Sequence, residues 1–223
     1  MEISSREFDQ YSFLEKQKYF KLYWEKGEGI ISDEIIGYDE RRIKYTQPYY
    51  KLISGIVRAE GVTNVVEIGT HKGGSTLAFE AGLSTGKGGQ IITIDTVDHL
   101  LARDRLSNRA NIARIIGDSE DESVQQQVRD RFCKFGKTLL YIDGLKDGSW
   151  IERNIEIYNF INPDLILLDD ITINFNMLKW WDVFSSNDKY YCYNIVDYLG
   201  RNCRNDNLTE LNCGFGLCFV KKD

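Results

Sequence analysis

Short apolar runs recur along this chain and alternate with longer segments of mixed polarity. The first five runs are Val62–Ile68, Gln90–Asp95, Asn111–Ile116, Thr138–Ile142 and Leu165–Leu168. Continuous apolar runs of this length are typical of parallel strands buried on both faces, and helical patterns separate them. Two further runs, Tyr190–Val196 and Gly214–Lys221, are separated by a polar loop and predict an antiparallel closing pair. The pattern therefore predicts an α/β fold with a mostly parallel sheet.

The chain before the first strand is predicted to be helical. Aromatic residues placed among charges over Ser5–Lys26 indicate an amphipathic helix, and Tyr45–Arg58 predicts a second helix. We therefore predict a helical extension over residues 1–60, packed on a main domain over residues 61–223. The aromatic helix suits packing on that domain, contacts in a homo-oligomer or a roof over the active site, and the sequence leaves all three open.

A glycine-rich turn follows the first strand, with the sequence Glu-Ile-Gly-Thr-His-Lys-Gly-Gly-Ser over residues 67–75. Gly69 permits a tight reversal, and Gly73 and Gly74 permit backbone amides to approach a bound molecule. The spacing differs from the dinucleotide fingerprint G-x-G-x-x-G and lacks a Walker lysine, which disfavours a pyrophosphate ligand. The carboxylate of Glu67 would repel phosphate and could accept hydrogen bonds from an ammonium group. The turn therefore favours an amino-acid-like ligand.

Acidic residues end three of the other strands. Asp95 ends the second strand, where a carboxylate can accept both hydroxyl groups of a ribose. Asp143 follows the fourth strand, and Asp169 and Asp170 end the fifth. Because the carboxyl ends of parallel strands meet at one edge of a sheet, we expect these last three carboxylates to converge. A divalent cation with oxygen ligands would remove their repulsion; the alternative is strands that simply stop at solvated acids.

The turn and the acidic strand ends resemble motifs of a known family. Glu-Ile-Gly-Thr-x-x-Gly-Gly-Ser at residues 67–75 resembles the first motif of class I S-adenosylmethionine-dependent methyltransferases, in the form of some small-molecule O-methyltransferases. Asp-Gly-Leu-Lys-Asp at residues 143–147 resembles the strand-four segment of catechol-type O-methyltransferases. Asp169–Asp170 stands where that family carries Asp-Asn or two acids. The resemblance implies a Rossmann-like, seven-stranded, mostly parallel sheet with helices on both faces and an antiparallel C-terminal strand.

The resemblance also implies an activity and a set of site residues. The expected reaction is methyl transfer from S-adenosylmethionine to a hydroxyl of a small molecule, with Mg²⁺ or another divalent cation as cofactor. A secondary-metabolite sugar or a catechol-like phenol is the expected acceptor. The implied metal ligands are Asp143, Asp169 and Asp170, and the implied catalytic residues are Lys146 and Asp143. The implied cofactor-binding residues are Glu67, Gly69, Thr70, Gly73, Ser75, Asp95, Thr96, Asp118, Ser119 and Asp143.

Lys146 is the position at which two branches of the resembled family differ. Catechol-type enzymes carry lysine there, whereas antibiotic and sugar O-methyltransferases carry histidine. We expect Lys146 to take the proton of the acceptor hydroxyl, and the alternative is a surface cation paired with Asp147. A helix is predicted over Ile171–Asp182, whose large side chains either wall the substrate site or pack in the core. These side chains are Asn174, Met177, Trp180 and Trp181.

Charge and composition exclude several classes of partner. The net charge of −6 at pH 7 and the absence of a basic block argue against nucleic acid as a partner. No apolar run approaches membrane-spanning length and the start lacks a signal-peptide core, so we expect a cytoplasmic protein with no membrane partner. The cysteines are expected to be reduced thiols, with Cys192 and Cys218 as small core residues. Two alternatives stay open: a nucleotide-linked oxidoreductase on a similar sheet, and a non-catalytic subunit that binds S-adenosylmethionine.

Overall fold

A computed structural model describes residues 9–27, 43–83, 89–199 and 213–222. The helices are α1 Phe13–Lys26, α2 Ile43–Glu60, α3 Gly74–Leu83, α4 Leu100–Leu106, α5 Glu122–Arg131, α6 Gly148–Ile157 and α7 Phe175–Phe184, with 3₁₀ turns at Tyr158–Ile161 and Ile195–Asp197. The strands are β1 Val62–Ile68, β2 Gln90–Asp95, β3 Ile112–Ile116, β4 Lys137–Ile142, β5 Leu165–Asp169, β6 Tyr190–Asn194 and β7 Phe215–Val220. The predicted strands are therefore confirmed to within a few residues.

The seven strands form one sheet in the order β3-β2-β1-β4-β5-β7-β6. Strands β1 to β5 pair in parallel, and β7 is antiparallel to both β5 and β6. The order reverses between β1 and β4, which is the point where α/β sheets of this kind bind ligands, outside the carboxyl ends of the strands. This arrangement confirms the predicted Rossmann-like α/β class with its antiparallel C-terminal strand.

Successive β1 side chains point to opposite sides of the sheet. Because apolar side chains lie on both sides, helices cover both faces of the sheet. Val65 belongs to a core that includes buried side chains of α1 to α4, and its neighbour Val66 belongs to a second core with α5, α6 and α7. No described helix has the length and apolar character needed to cross a membrane.

Two helices begin later than predicted, each for a local reason. Asp170 has a left-handed backbone with φ of 59°, so the chain leaves β5 through a turn instead of entering a helix. Helix α7 then begins at Phe175, where the side chain of Asn174 accepts a hydrogen bond from the Met177 N–H at 2.9 Å. The sequence after the third strand predicts a helix over Ser119–Phe132. The observed helix α5 begins at Glu122, because Asp118 Oδ1 accepts the Glu120 N–H at 2.9 Å in a turn of its own.

The cysteines on the last two strands depart from the sequence prediction. Cys192 and Cys218 lie directly opposite each other in the β6–β7 pair, with their Cα atoms 4.1 Å apart, and form a disulfide. The prediction of reduced thiols is therefore wrong for this pair. The disulfide could not be predicted from the sequence, because the two cysteines meet only through the antiparallel register of β6 and β7.

The aromatic helix α1 is held against α2 and the start of the sheet. The hydroxyl groups of Tyr19 and Tyr23, both on α1, donate to Glu60 Oε1 at the end of α2, at 2.5 and 2.6 Å. Lys137 Nζ, at the start of β4, lies 3.0 Å from Glu60 Oε2. Residues before Asp9 lie outside the described part of the chain, so the predicted beginning of this helix at Ser5 stays a prediction. The described helix confirms the prediction from Phe13 to Lys26.

Gly55 allows this helix pair to pack closely, and Gly55→Ala tests how much the contact matters. An added Cβ would lie 1.7 Å from the Tyr23 carbonyl oxygen, so α1 would have to move away. Alanine gains about 1 kcal/mol in helix propensity, but overpacking typically costs about 1–3 kcal/mol or more. We expect a net loss in the free energy of unfolding, measured by urea denaturation. Arg58→Ala, at an exposed position of the same helix, is the control and should be nearly neutral; equal stability of both variants would contradict this account.

Candidate active site

The carboxyl ends of β1, β2 and β4 are tied together by backbone hydrogen bonds at the glycine turn. Gly69 N–H donates to the Ile94 carbonyl at 2.8 Å, and Asp143 N–H donates to the Ile68 carbonyl at 2.8 Å. Gly69 has φ of +108°, and a Cβ there would lie 2.0 Å from the Asp143 carbonyl oxygen. Only glycine therefore permits the turn to sit against the end of β4, which places the Asp143 segment beside it.

The other glycines of the turn make room for protein atoms. A Cβ on Gly74 would lie 2.1 Å from the Tyr50 hydroxyl, and one on Gly73 would lie 3.2 Å from the Leu106 side chain. The space beside these two glycines is therefore filled by the side chains of Tyr50 and Leu106. Contacts from the Gly73 backbone to a cofactor stay a prediction.

Two hydroxyl groups of the turn also point into the protein. Thr70 Oγ1 and Thr93 Oγ1 lie 2.5 Å apart, and Ser75 Oγ donates to Glu67 Oε1. Thr76 Oγ1 donates to the second oxygen, Glu67 Oε2, at 2.5 Å. Glu67 is fully buried. Both its oxygens are thus engaged by hydroxyls, and direct contact between Glu67 and a ligand ammonium stays a prediction.

Asp95 is held in a fixed orientation at the end of β2. Its Oδ2 accepts the His71 N–H at 2.7 Å and its Oδ1 accepts the Val97 N–H at 2.9 Å. Each carboxylate oxygen retains a further lone pair for a ribose hydroxyl. The imidazole rings of His71 and His99 lie 5.0 Å apart beside this segment. The sequence analysis did not predict this histidine pair, because the two residues are 28 positions apart in the chain.

The remaining predicted cofactor residues differ in exposure. Thr96 and Asp118 are exposed, whereas Ser119 is buried. The Ser119 hydroxyl makes no hydrogen bond within the described structure, and its carbonyl accepts the Tyr158 hydroxyl at 3.0 Å. A buried hydroxyl without a partner at the end of β3 suits the predicted contact with an adenine.

The three predicted metal ligands lie together. Asp143, Asp169 and Asp170 each place one carboxylate oxygen within 4.8 Å of the others. Lys146 Nζ lies 2.6 Å from Asp143 Oδ1 and 3.0 Å from Asp170 Oδ2. Lys146 thus faces the acids, which excludes the alternative in which it pairs only with Asp147 at the surface. The structure brings together every residue of this cluster that the sequence analysis named.

Among the described residues, the acids of this cluster outnumber the cations that contact them. Burial raises the pKa of Asp169 well above its usual range, and the nearby Asp143 carboxylate adds to the effect. Burial also raises the pKa of Asp143 against the opposing effect of Lys146. Burial opposes the charged form of Lys146, but the three carboxylates outweigh it and hold its pKa above the usual value. One ammonium thus faces three acids.

The donor set fits a hard divalent cation. Asp169 is 7% exposed, its Oδ1 has no hydrogen-bond partner among the described residues, and all three side chains offer oxygen. Mg²⁺ and Ca²⁺ prefer oxygen ligands, and a buried carboxylate oxygen without a partner is costly unless a cation or proton meets it. The residues present therefore fit the metal that the resemblance implies.

Two tyrosines that the sequence analysis did not name reach the same cluster. Tyr141 hydroxyl donates to Asp143 Oδ2 at 3.2 Å, and Tyr49 hydroxyl donates to Asp169 Oδ2 at 3.3 Å. Tyr141 could have been found, because residues two apart on a strand share a face. Tyr49 could not, since its position depends on how α2 packs on the sheet.

The large side chains after β5 do not line the cluster as a group. Met177 and Trp181 are buried in the core beneath the sheet, and Asn174 caps α7. Trp180 donates its indole N–H to Glu152 Oε1 at 2.6 Å. The reading of Met177 and Trp181 as a wall of the substrate site is therefore wrong, because α7 begins later than predicted and turns these residues inward.

The strand order, with its reversal between β1 and β4, defines a Rossmann-like α/β fold that this chain shares with solved O-methyltransferases. No protein-family model and no curated relative matches this sequence. Among solved structures, the O-methyltransferase TomG from Streptomyces achromogenes, involved in tomaymycin synthesis and in complex with SAM, has a TM-score of 0.61 at 12% identity, over 92% of this chain and 99% of its own. The O-methyltransferase from Bacillus cereus in complex with SAH has a TM-score of 0.55 at 17% identity, over 95% and 92%. The SAH-bound Podospora anserina methyltransferase PaMTH1 has a TM-score of 0.55 at 15% identity, over 100% and 98%.

Glu67→Gln tests the buried carboxylate beneath the turn. Burial raises the pKa of Glu67 from 4.5 to about 7, against the opposing hydrogen bonds from Ser75 and Thr76. The folded chain therefore binds a proton that the unfolded chain releases between these values, so the free energy of unfolding falls as pH rises from 4.5 to about 7. A shift from 4.5 to about 7, at about 1.4 kcal/mol per unit, gives a loss of roughly 3 kcal/mol.

In Glu67→Gln this loss should disappear, because a neutral amide has no proton to release. Urea denaturation of the ligand-free protein at pH 5, 6, 7 and 8 measures the difference between the two slopes. Parallel pH profiles for the two proteins would contradict the assigned burial cost.

Proposed function

We propose that this chain transfers a methyl group from S-adenosylmethionine to a hydroxyl oxygen of a small molecule, with a divalent cation held by Asp143, Asp169 and Asp170. The observation that carries the proposal is the convergence of these carboxylates, one of them buried with an unpartnered oxygen, beside the glycine turn. The shared fold with O-methyltransferases solved with SAM or SAH supports the choice of cofactor.

Each part of the proposed cofactor has a candidate partner among the described residues. The Asp95 carboxylate, held by two backbone N–H groups, accepts the ribose hydroxyls. The buried Ser119 hydroxyl meets the adenine. The methionine part then lies at the turn between Gly69 and the Asp143 segment, where the acidic edge attracts its ammonium and its sulfonium.

A bound divalent cation would bind the acceptor oxygen, lower the pKa of its hydroxyl and fix it in place. The protein supplies the ligands and the orientation. Because Lys146 Nζ contacts Asp143 and Asp170 directly, it lies within reach of a hydroxyl bound at the same carboxylates. We assign Lys146 the role of accepting the hydroxyl proton as the methyl group is transferred. This role requires that the bound cation lower the Lys146 pKa, which the three carboxylates otherwise hold above its usual value.

A planar phenol is the acceptor class that the surroundings favour over a sugar. Leu145 lies between Asp143 and Lys146 and is 61% exposed, and Phe175, shortly after Asp170, is 76% exposed. Exposed apolar side chains on both segments that follow the metal acids suit an apolar ring better than a polyhydroxylated one. The similarity to TomG supports an acceptor from secondary metabolism.

The first test measures the cofactor and the cation separately. Calorimetry with S-adenosylmethionine, NAD and Mg²⁺ should show binding of the first and third, and a panel of catechols and sugars should yield SAH with at least one acceptor.

Asp169→Asn should weaken Mg²⁺ binding by roughly 100-fold or more, because even partners of metal ligands contribute about 10- to 100-fold. Asp130→Asn, at an exposed position on α5, is the control. Binding of NAD in place of S-adenosylmethionine would contradict the proposal.

Lys146→Met and Lys146→Arg test the assigned base. Methionine removes both charge and proton acceptor, whereas arginine keeps the charge and cannot be deprotonated in proteins. Both should lower kcat by about 10²- to 10⁴-fold, the usual contribution of a general base, with Mg²⁺ still bound. Recovery of activity in Lys146→Arg would assign Lys146 a purely electrostatic role, and full activity of Lys146→Met would remove it from the mechanism.

A further inference from the structure

Tyr49 and Tyr141 lie beneath the acidic cluster, with their rings in the core. They are 3% and 0% exposed. The Tyr49 ring packs edge-on against Phe215 at 5.4 Å, and the Tyr141 ring packs edge-on against Phe79 at 5.1 Å. Phenylalanine would satisfy these ring contacts equally well, so the packing does not explain the two hydroxyl groups.

The hydroxyl groups are directed at the proposed metal ligands. They contact each other, Tyr141 reaches Asp143 Oδ2 and Tyr49 reaches Asp169 Oδ2. In both carboxylates the tyrosines engage Oδ2. The other oxygen of Asp143 faces Lys146, and the other oxygen of Asp169 is the one without a partner.

Such contacts restrict how the carboxylates rotate. Without a hydroxyl partner, each carboxylate could turn about its Cβ–Cγ bond, and the oxygen that faces the cluster would no longer be fixed. Hydrogen bonds from neighbouring groups commonly orient metal ligands, and their loss typically weakens metal binding by about 10- to 100-fold. The two tyrosines come from different elements, α2 and β4, so the hydrogen bond from Tyr49 to Asp169 also ties the helical N-terminal part to the site.

We propose that Tyr49 and Tyr141 are positioning residues of the cation site, where their paired hydroxyls orient Asp169 and Asp143 for metal binding. The proposal rests on the proposed function, because it requires that the three aspartates bind a divalent cation. Both tyrosines contact the carboxylates that would bind the metal, and neither needs to contact the substrate.

The experiment is a titration of the cofactor-free protein with Mn²⁺. Calorimetry and the electron paramagnetic resonance signal of free Mn²⁺ measure how much of the ion is bound. Tyr141→Phe and Tyr49→Phe should each raise the dissociation constant for Mn²⁺ by about 10- to 100-fold. The double variant should lose less than the product of the two single effects, since the hydroxyls are in contact and act together. Saturating Mn²⁺ should restore kcat in each variant, an outcome that a general loss of structure would not give.

Tyr23→Phe is the matched control. It removes a buried hydroxyl that also donates to a carboxylate, Glu60, but at the opposite end of the sheet. Its Mn²⁺ affinity should equal that of the unaltered chain, and thermal unfolding without metal reports the stability of each variant. Unaltered Mn²⁺ affinity in both Tyr141→Phe and Tyr49→Phe would overturn the proposal.

Failure of the cation site itself gives a different result. If the unaltered chain does not bind Mn²⁺, the metal part of the proposed function is wrong and the tyrosine proposal falls with it. If the unaltered chain binds Mn²⁺ and the phenylalanine variants bind it equally well, the proposed function stands and only the positioning role is overturned.

Discussion

Repulsion among carboxylates at one edge of the sheet is the constraint on which the rest of the site depends. The parallel pairing of β4 with β5 brings Asp143 and Asp169 to the same edge, and the left-handed backbone of Asp170 adds a third acid at that corner. These positions follow from the fold and cannot relax by rotation of a surface side chain. The charge must therefore be neutralised locally by Lys146, by protons or by a bound cation.

The packing around the cluster limits how far water can neutralise these charges. β5 lies between β4 and β7, so Asp169 has strands on both sides and little access to water. A buried ion pair that loses one partner typically costs about 3–5 kcal/mol, because the remaining charge is left uncompensated. Lys146 contacts Asp143 and Asp170. Among the three acids, Asp169 is thus the one that no described cation contacts directly, and the proposed cation site is centred on it.

Much of this arrangement could be predicted from the sequence, because it depends on local patterns and on one topological rule. Apolar runs fixed the strands, and the rule that parallel strands end at one edge placed Asp143 beside Asp169. The parts that could not be predicted depend on packing between distant elements. Gly74 accommodates the Tyr50 hydroxyl, Tyr49 reaches the site only through the docking of α2, and Cys192 meets its partner only through the register of β6 and β7.

The two buried acids at this edge differ in how the described residues engage their oxygens. Glu67 and Asp169 are both buried, and burial raises the pKa of each. The oxygens of Glu67 accept hydroxyls from Ser75 and Thr76, so its hydrogen-bonding capacity is used in tying β1 to α3. Tyr49 donates to one oxygen of Asp169, and the other oxygen has no hydrogen-bond partner in the described part of the chain. Because a buried polar atom without a partner costs about 1–3 kcal/mol, the cation proposed at Asp169 would remove a cost that the described residues leave in place.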